Sequence, residues 1–255
     1  MDDKIKYVEA IGQFGDDTTR QYERKIHQFM VDQECQKGVL TDIINSEEDL
    51  KIRYGAFYIL CTLMRRNKDF TDYRSLLENH RNTFKEMCSI NHLESMYLIE
   101  VARSSYEFMK ALEFSENAVK CNPLNTGYLH SYAINVVKGF EEAYLNLGDG
   151  NSENHLNKAL QNIKQAIESE STYAKFYATH GRLCTIQGKY RDAKDLINRA
   201  IDLENSESRD YALRISDYRA YFLDVTFKEQ MSTFNESFTL VKTELERVSL
   251  EMEEA

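Results

Sequence analysis

Apolar residues recur three and four positions apart along most of this chain, in segments that short polar turns separate. This period places the apolar side chains on one face of an α-helix. A single proline, Pro123, and ten glycines interrupt 255 residues, so long stretches are free to be helical. The pattern predicts an all-α protein built of antiparallel helical hairpins. The predicted helices span 50–66, 70–87, 92–105, 106–121, 126–148, 155–169, 172–188 and 189–204.

Two of these segments repeat each other at a spacing of 34 residues. Ala159 and Ala166 return as Ala193 and Ala200, and an isoleucine lies between the alanines in both copies. A fixed period of this length is typical of stacked helical hairpins, which bury their apolar faces only against neighbouring repeats. Small residues at these places let two helices approach closely. We therefore expect a scaffold that holds other molecules.

The last hairpin carries the residues by which the repeat is compared with known families, namely Tyr177, Gly181, Gly188, Tyr190, Ala193 and Ala200. Their spacing resembles a tetratricopeptide repeat (TPR), although His180 stands where the family has leucine and Asn205 where it often has proline. The resemblance is specific over 93–205 and weaker back to about residue 47. It implies a TPR-like α-solenoid, which is a right-handed superhelical array of antiparallel helical hairpins.

The register of the repeat divides the chain into three parts. We expect an N-terminal helical cap over 1–46, a TPR-like array of about four hairpins over 47–205, and a long capping helix over 206–255. In one hairpin the second helix lies 14 residues later than the period requires, which puts an insertion near 139–155. The insertion is expected to lengthen the first helix of that hairpin and to add a polar loop over 148–154.

The resemblance also implies a ligand groove. In TPR arrays the first helices of successive hairpins line a concave surface that binds a protein or peptide segment. The groove positions carried onto this chain are those of Met96, Glu100, Arg103, His130, Ile134, Lys175, Arg182, Arg209 and Arg219. The last four are cations in a chain of net charge −10, which favours an acidic peptide, a C-terminal carboxylate or a phosphorylated ligand. The alternative is that these cations pair with acids such as Asp192, Asp210 or Asp217.

A second pattern occupies the C-terminal helix. Residues 207–254 contain no proline or glycine, which predicts one helix of roughly 70 Å. Over 227–252 the apolar positions alternate four and three residues apart, which is the heptad pattern of a coiled coil. We call this stripe the seam; it consists of Phe227, Met231, Phe234, Phe238, Val241, Leu245, Val248 and Met252. The seam predicts self-association as a dimer or a higher oligomer, and the alternative is that the helix folds back onto the array.

The charge and the cysteines of the chain limit the classes of binding partner and the cellular compartments that we expect. The net charge of −10 and the isoelectric point of about 5.2 argue against binding to nucleic acid or to anionic membranes. The chain shows no secretory signal pattern and no apolar run of membrane-span length, so we expect a cytoplasmic protein. The cysteines never form a C-x-x-C pair and are expected to be reduced and mostly buried. They are Cys35, Cys61, Cys88, Cys121 and Cys184.

The sequence offers no catalytic constellation. It contains no H-E-x-x-H, phosphate loop or G-x-S-x-G motif, and its cysteines and histidines lack metal-ligand spacing. The segment 149–153 lacks the alternating acids of a calcium loop. We therefore expect no enzyme activity, no cofactor and no metal site.

Two functions remain. The first is a protein–protein interaction scaffold or sensor module that binds a peptide in the TPR groove and self-associates through its coiled coil. The alternative is an N-terminal regulatory domain of a longer enzyme or signalling effector whose active part lies beyond residue 255. The heptads continue to the end of the sequence, which is the observation behind the alternative.

Overall fold

The computed structural model describes residues 37–46, 50–204 and 211–253. Within these ranges the chain is all-helical, with ten α-helices and no β-strand, so the all-α prediction is confirmed. The helices are α1 (Lys37–Ile44), α2 (Leu50–Arg66), α3 (Phe70–His80), α4 (Ser89–Val101), α5 (Ser105–Cys121), α6 (Thr126–Glu141), α7 (Gly150–Ser169), α8 (Ala174–Ile186), α9 (Tyr190–Leu203) and α10 (Tyr211–Glu253).

The chain divides into two compact units, Met1–Glu170 and Ser171–Ala255. The boundary between them falls inside the predicted array of 47–205, and the three-part domain assignment stays a prediction. Of the predicted cap over 1–46, the described residues hold only α1 and the turn that follows it.

In the N-terminal unit, consecutive helices contact each other from α1 to α7, and short turns join α2–α3 and α4–α5 into helical hairpins. The first helices of successive hairpins also touch, because α2 contacts α4 and α4 contacts α6. Ion pairs connect these three helices near their C-terminal ends. Glu100 lies 3.9 Å from Arg65 and 3.8 Å from Lys138, measured between charged atoms.

Helix α3 ends at His80, before the end predicted at residue 87. The side chain of Phe84 accounts for the difference, since it is buried with its ring centroid 5.4 Å from that of Tyr54 and 4.9 Å from that of Phe57. The chain turns over 81–86 to place the ring there. Burying a phenylalanine contributes about 2–3 kcal/mol, which exceeds the propensity gained by one more helical turn.

The first helix of the hairpin that holds the insertion near 139–155 ends earlier than residue 148, the end that the sequence predicts for it. Helix α6 ends at Glu141, and the chain then folds back onto α5. The ring of Tyr144 stacks on that of Phe108 with centroids 4.9 Å apart, and Leu145 is buried beside them. These apolar contacts stop the helix because a continued helix would carry both side chains past α5.

The second helix of this hairpin is long, with 20 residues in α7 against 14 in α9. Asp149 caps α7, and its carboxylate accepts a hydrogen bond of 3.0 Å from the backbone N–H of Ser152. The predicted polar loop over 148–154 is therefore helical from Gly150 onward. The polar residues after Asp149 resemble a loop in the sequence. The Asp149 carboxylate nevertheless allows a helix to begin there, because it accepts a hydrogen bond from one of the backbone N–H groups that a helix start leaves unpaired.

Cys88 and Cys121 form a disulfide, which corrects the expectation that all five cysteines are reduced. Cys88 precedes α4 and Cys121 ends α5, so the two residues lie at the same end of one hairpin with their Cα atoms 5.6 Å apart. Cys61 and Cys184 are buried thiols outside any disulfide, as expected, and burial raises the pKa of the Cys61 thiol. Cys35 lies outside the described residues.

In the C-terminal unit, α8 and α9 form a hairpin against which the first half of α10 packs. Ala193, Ile197 and Ala200 are fully buried in it. Gly181 of α8 lies directly against α9, because a Cβ atom added there would come within 2.7 Å of Ile197 Cγ1 and 3.0 Å of the Ala193 carbonyl oxygen. The small residues of the repeat thus mark a close approach of two helices.

Candidate interaction site

The first half of α10 is fixed to the α8–α9 hairpin. Ile215, Tyr218 and Val225 are buried in the core of this unit. Glu204, which follows α9, lies 2.7 Å from a guanidinium nitrogen of Arg214 and accepts a hydrogen bond of 3.3 Å from the hydroxyl of Tyr218. Burial, followed by the nearby charge of Glu204, raises the pKa of Tyr218. The beginning of α10 therefore has a defined position on its hairpin.

Contacts to the hairpin reach as far as Glu229, which forms an ion pair with Lys194 of α9. Farther along α10, polar side chains bond within the helix itself. The hydroxyls of Thr233, Ser237 and Thr243 each donate to the backbone carbonyl four residues earlier. The second half of α10 thus continues as a helix while its side chains turn to solvent.

The seam occupies this second half, and those of its side chains that the structure describes are exposed in the single chain. Phe227, Phe234 and Phe238 each leave 62% of their surface accessible, and Leu245 leaves 63%. Val241 is 58% exposed and Met231 42%, whereas the side chains of Val248 and Met252 lie outside the described part. The role of these residues in oligomerisation stays a prediction.

The described seam residues form one continuous apolar stripe. Their exposed side-chain area is roughly 600 Å² per chain, taking a phenylalanine side chain as about 200 Å². Monomeric proteins rarely expose an apolar patch larger than this, and patches of that size often mark interaction sites. The rings of Phe234 and Phe238 stack with centroids 6.4 Å apart, so the stripe is densest near its centre. The stripe can bind another apolar helix face.

The groove positions of the N-terminal unit are partly occupied by contacts within the chain. Glu100 on α4 is the acid paired with Arg65 and Lys138, as described above. Arg103 lies beyond the end of α4 instead of on its face, and its backbone N–H donates a 2.8 Å hydrogen bond to Glu107. The remaining positions are half-buried on α4 and α6; they are Met96, His130 and Ile134.

The groove positions of the C-terminal unit carry cations that contact aromatic rings. The guanidinium of Arg182 lies 4.5 Å from the ring centroid of Tyr221, and the ammonium of Lys175 lies 5.9 Å from that of Tyr173. Such cation–π contacts help to hold the two charges in place. Arg219 is exposed on α10. Arg209 lies outside the described residues.

Sequence reasoning missed the buried polar contacts between first helices. Asn135 on α6 donates a 3.0 Å hydrogen bond to the hydroxyl of Ser95 on α4, and Lys138 donates one of 2.8 Å to the carbonyl of Ile99. An asparagine within an apolar helical stripe was the available signal, since buried polar groups are almost always paired. These bonds fix the register of α4 against α6.

His92 at the start of α4 is a second feature that the sequence did not reveal. Its ring lies 5.3 Å from that of Tyr128, and its Nδ1 atom is buried. Burial, with a smaller effect from the positive charge of Arg65, lowers the pKa of His92 to about 4. The imidazole is therefore neutral in the folded protein over most of the pH range.

The described residues contain no group of three or more His, Cys, Asp or Glu side chains placed to hold a metal ion. None of the helices that the structure describes is long and apolar enough to span a membrane. Comparison with protein-family models and with curated proteins finds no match to this chain. The TPR resemblance accordingly rests on the repeat residues alone.

Proposed function

We propose that this chain is a protein–protein interaction scaffold whose TPR-like array holds a peptide or protein segment and which self-associates through the second half of α10. The exposed seam carries the proposal. A helix that is anchored at its beginning and then presents apolar residues at heptad spacing to solvent from Phe227 to Leu245 is suited to binding another helix.

The array part of the proposal is supported by the helix contacts. In the N-terminal unit the first helices α2, α4 and α6 touch in succession, as they would in a solenoid of stacked hairpins. In the C-terminal unit, Gly181 allows the close approach that the resemblance implies for a TPR hairpin. We infer that each unit, taken by itself, contributes hairpins of the TPR-like type.

Self-association is tested by light scattering of the full chain during size-exclusion chromatography. One copy has a mass of 29.8 kDa, and we expect a larger species whose mass is a multiple of this value. The double variant Phe234→Ser/Phe238→Ser should run as a single copy, because it removes the centre of the stripe.

Leu240→Ser provides the matched control. Leu240 is 73% exposed on the same helix but is not a seam residue, so this variant should assemble like the wild type. A wild-type protein that stays monomeric at about 100 µM, far above the dissociation constants of specific assemblies, would reject self-association. If both variants reduced assembly equally, self-association would depend on the general apolarity of the helix surface and not on the seam.

The ligand part of the proposal names an acidic segment. Lys175, Arg182 and Arg219 lie on α8 and α10 of the C-terminal unit, and their charge favours a carboxylate-rich or phosphorylated peptide in a chain that is otherwise acidic. A cytoplasmic location belongs to the same proposal. In the cytoplasm, reductants would reach the Cys88–Cys121 disulfide, because the side chain of Cys121 is exposed.

Ligand binding is tested by fluorescence anisotropy with a labelled oligoglutamate peptide and an oligolysine peptide of equal length. We expect binding of the oligoglutamate alone, weakened at least tenfold in Lys175→Glu/Arg219→Glu. Lys189→Glu/Arg191→Glu, which reverses two exposed cations at the start of α9, is the control for an equal change in net charge. Equal weakening by both changes would reject a specific cationic site.

A further inference from the structure

We propose that the seams of two copies of this chain pair in antiparallel orientation, with Phe234 of each copy opposite Leu245 of the other. This orientation rests on the self-association proposed above and specifies which parts of the two helices meet. The partner that binds the exposed stripe is thus a second copy of the chain. When the second helix runs in the opposite direction, its small seam side chains face the large ones of the first helix.

The seam residues change in size along the helix. The first half of the seam carries phenylalanine at 227, 234 and 238, whereas the second half carries Val241 and Leu245, and all of these side chains are exposed. A coiled-coil core consists of layers, each with one side chain from either helix at a nearly constant helix separation. Two helices therefore pack best when every layer has a similar total volume.

Parallel pairing in register places each residue opposite itself. The layers of Phe234 and Phe238 would then hold two rings each, while the layer of Val241 would hold two valines. Helices separated far enough for the rings leave a void at the valines, and helices close enough for the valines overlap the rings. The gradient in size therefore disfavours a parallel pair.

Antiparallel pairing combines large with small residues in the central layers. Phe238 lies opposite Val241 and Phe234 opposite Leu245, and the two-fold symmetry repeats both layers. Each of these four layers thus contains one ring and one aliphatic side chain. Continued outward, the same register places Phe227 and Met231 opposite positions 252 and 248 of the second copy.

The charges beside the seam select this register among the antiparallel ones. Residues that directly follow the d positions of the heptad face each other across an antiparallel pair. In the proposed register Lys228 faces position 249, a serine, and Lys242 faces Asn235. A shift by one heptad brings Lys228 opposite Lys242, and a shift the other way brings the two copies of Lys242 together. Like charges disfavour both shifts.

The anchored half of α10 leaves the seam free for this pairing. Glu229, which contacts Lys194 of α9, lies at the heptad position opposite to the seam, so the hairpin does not cover Phe227 or Met231. Antiparallel pairing also puts the two α8–α9 hairpins at opposite ends of the paired helices, with the Tyr218 residues about 60 Å apart along the axis at 1.5 Å per residue. The hairpins therefore do not collide.

The orientation is tested by photocrosslinking the full-length assembled protein. p-Benzoylphenylalanine replaces Phe234 and keeps an aromatic ring in the seam, and a mixture of isotope-labelled and unlabelled chains is irradiated and digested. We expect crosslinks between chains on residues 241–248. Within one helix Phe234 and Leu245 are about 16 Å apart, so these crosslinks report only a second copy. The same photoreactive residue in place of Leu240, which points away from the seam, should give few crosslinks between chains.

The outcomes separate this inference from the function on which it rests. Crosslinks between chains on residues 230–238 would overturn the antiparallel orientation and leave self-association intact. A protein that runs as a single copy and crosslinks only within its own chain would overturn both. Crosslinks on residues 241–248 that are lost in the single variant Leu245→Asp would support the layer that pairs Phe234 with Leu245.

Discussion

Replacing Gly181 with alanine is expected to destabilise the C-terminal unit, although alanine is the better helix former. In a helix interior this change normally stabilises by about 1 kcal/mol. Here the new Cβ atom would lie 2.7 Å from Ile197 Cγ1 and 3.0 Å from the Ala193 carbonyl oxygen. Ile197 is fully buried, so it moves aside only by displacing its own neighbours.

The two effects can be weighed against each other. Overpacking a buried contact costs about 1–3 kcal/mol, and subtracting the gain in helix propensity leaves a net loss of about 1 kcal/mol. Gly38 in α1 is the matched control, because a Cβ atom added there has no other atom within 4 Å. Gly38→Ala should therefore raise the free energy of unfolding of its unit by up to about 1 kcal/mol.

The free energy of unfolding is measured by urea denaturation followed by far-ultraviolet circular dichroism, with the transitions of the two units fitted separately where both are resolved. Ile197→Ala completes a double-mutant cycle. It costs about 2–4 kcal/mol alone but removes the obstructing atom, so adding Gly181→Ala to it should be less harmful than in the wild type. A stabilising Gly181→Ala would refute the close approach of α8 and α9.

Three further predictions concern stability. Reducing the Cys88–Cys121 disulfide, which closes a sequence separation of 33 residues, should lower the free energy of unfolding by about 4 kcal/mol, whereas reductant should not affect Cys88→Ser/Cys121→Ser. The pKa of His92 falls from 6.5 to about 4 on folding, so the unfolded chain binds the proton more tightly. The stability that the neutral His92 gives to the folded protein is therefore complete above pH 6.5 and is lost as the pH falls towards 4. At about pH 5 the loss is about 2 kcal/mol, and His92→Gln should reduce the difference in unfolding free energy between about pH 7 and about pH 5 by this amount. Glu204→Gln should lower the free energy of unfolding by about 2–3 kcal/mol, because it removes the Glu204 carboxylate that is paired with the half-buried guanidinium of Arg214. A loss below 0.5 kcal/mol, about that of an exposed ion pair, would contradict this.

The hydrophobic period predicted the existence of the described helices better than their ends. The span of α2 agrees with the prediction because its polar turn at 67–69 is a local signal. The end of α3 was wrong because the burial of Phe84 depends on Tyr54 and Phe57, which lie far away in the sequence. Contacts of this kind have no signal in a local period.

The candidate site was predictable to the extent that it follows from one helix. The seam residues of α10 share a face because the heptad spacing and a continuous helix are both local properties. The groove is less predictable, since the surroundings of Glu100 and Arg182 depend on Lys138 and Tyr221 from other helices. The disulfide was missed because only the antiparallel hairpin brings its two cysteines together.

The hydroxyl groups along the second half of α10 have a consequence for how this segment folds. Serine, threonine and asparagine make up much of its solvent face, and hydroxyls bonded to the carbonyl one turn earlier weaken and bend a helix. Where its side chains are described, this segment is mostly exposed to solvent, and a helical segment of this kind exchanges its amide hydrogens quickly when it is alone. Its helical order is therefore coupled to protein concentration, and amide exchange over 230–246 should slow as copies of the chain meet.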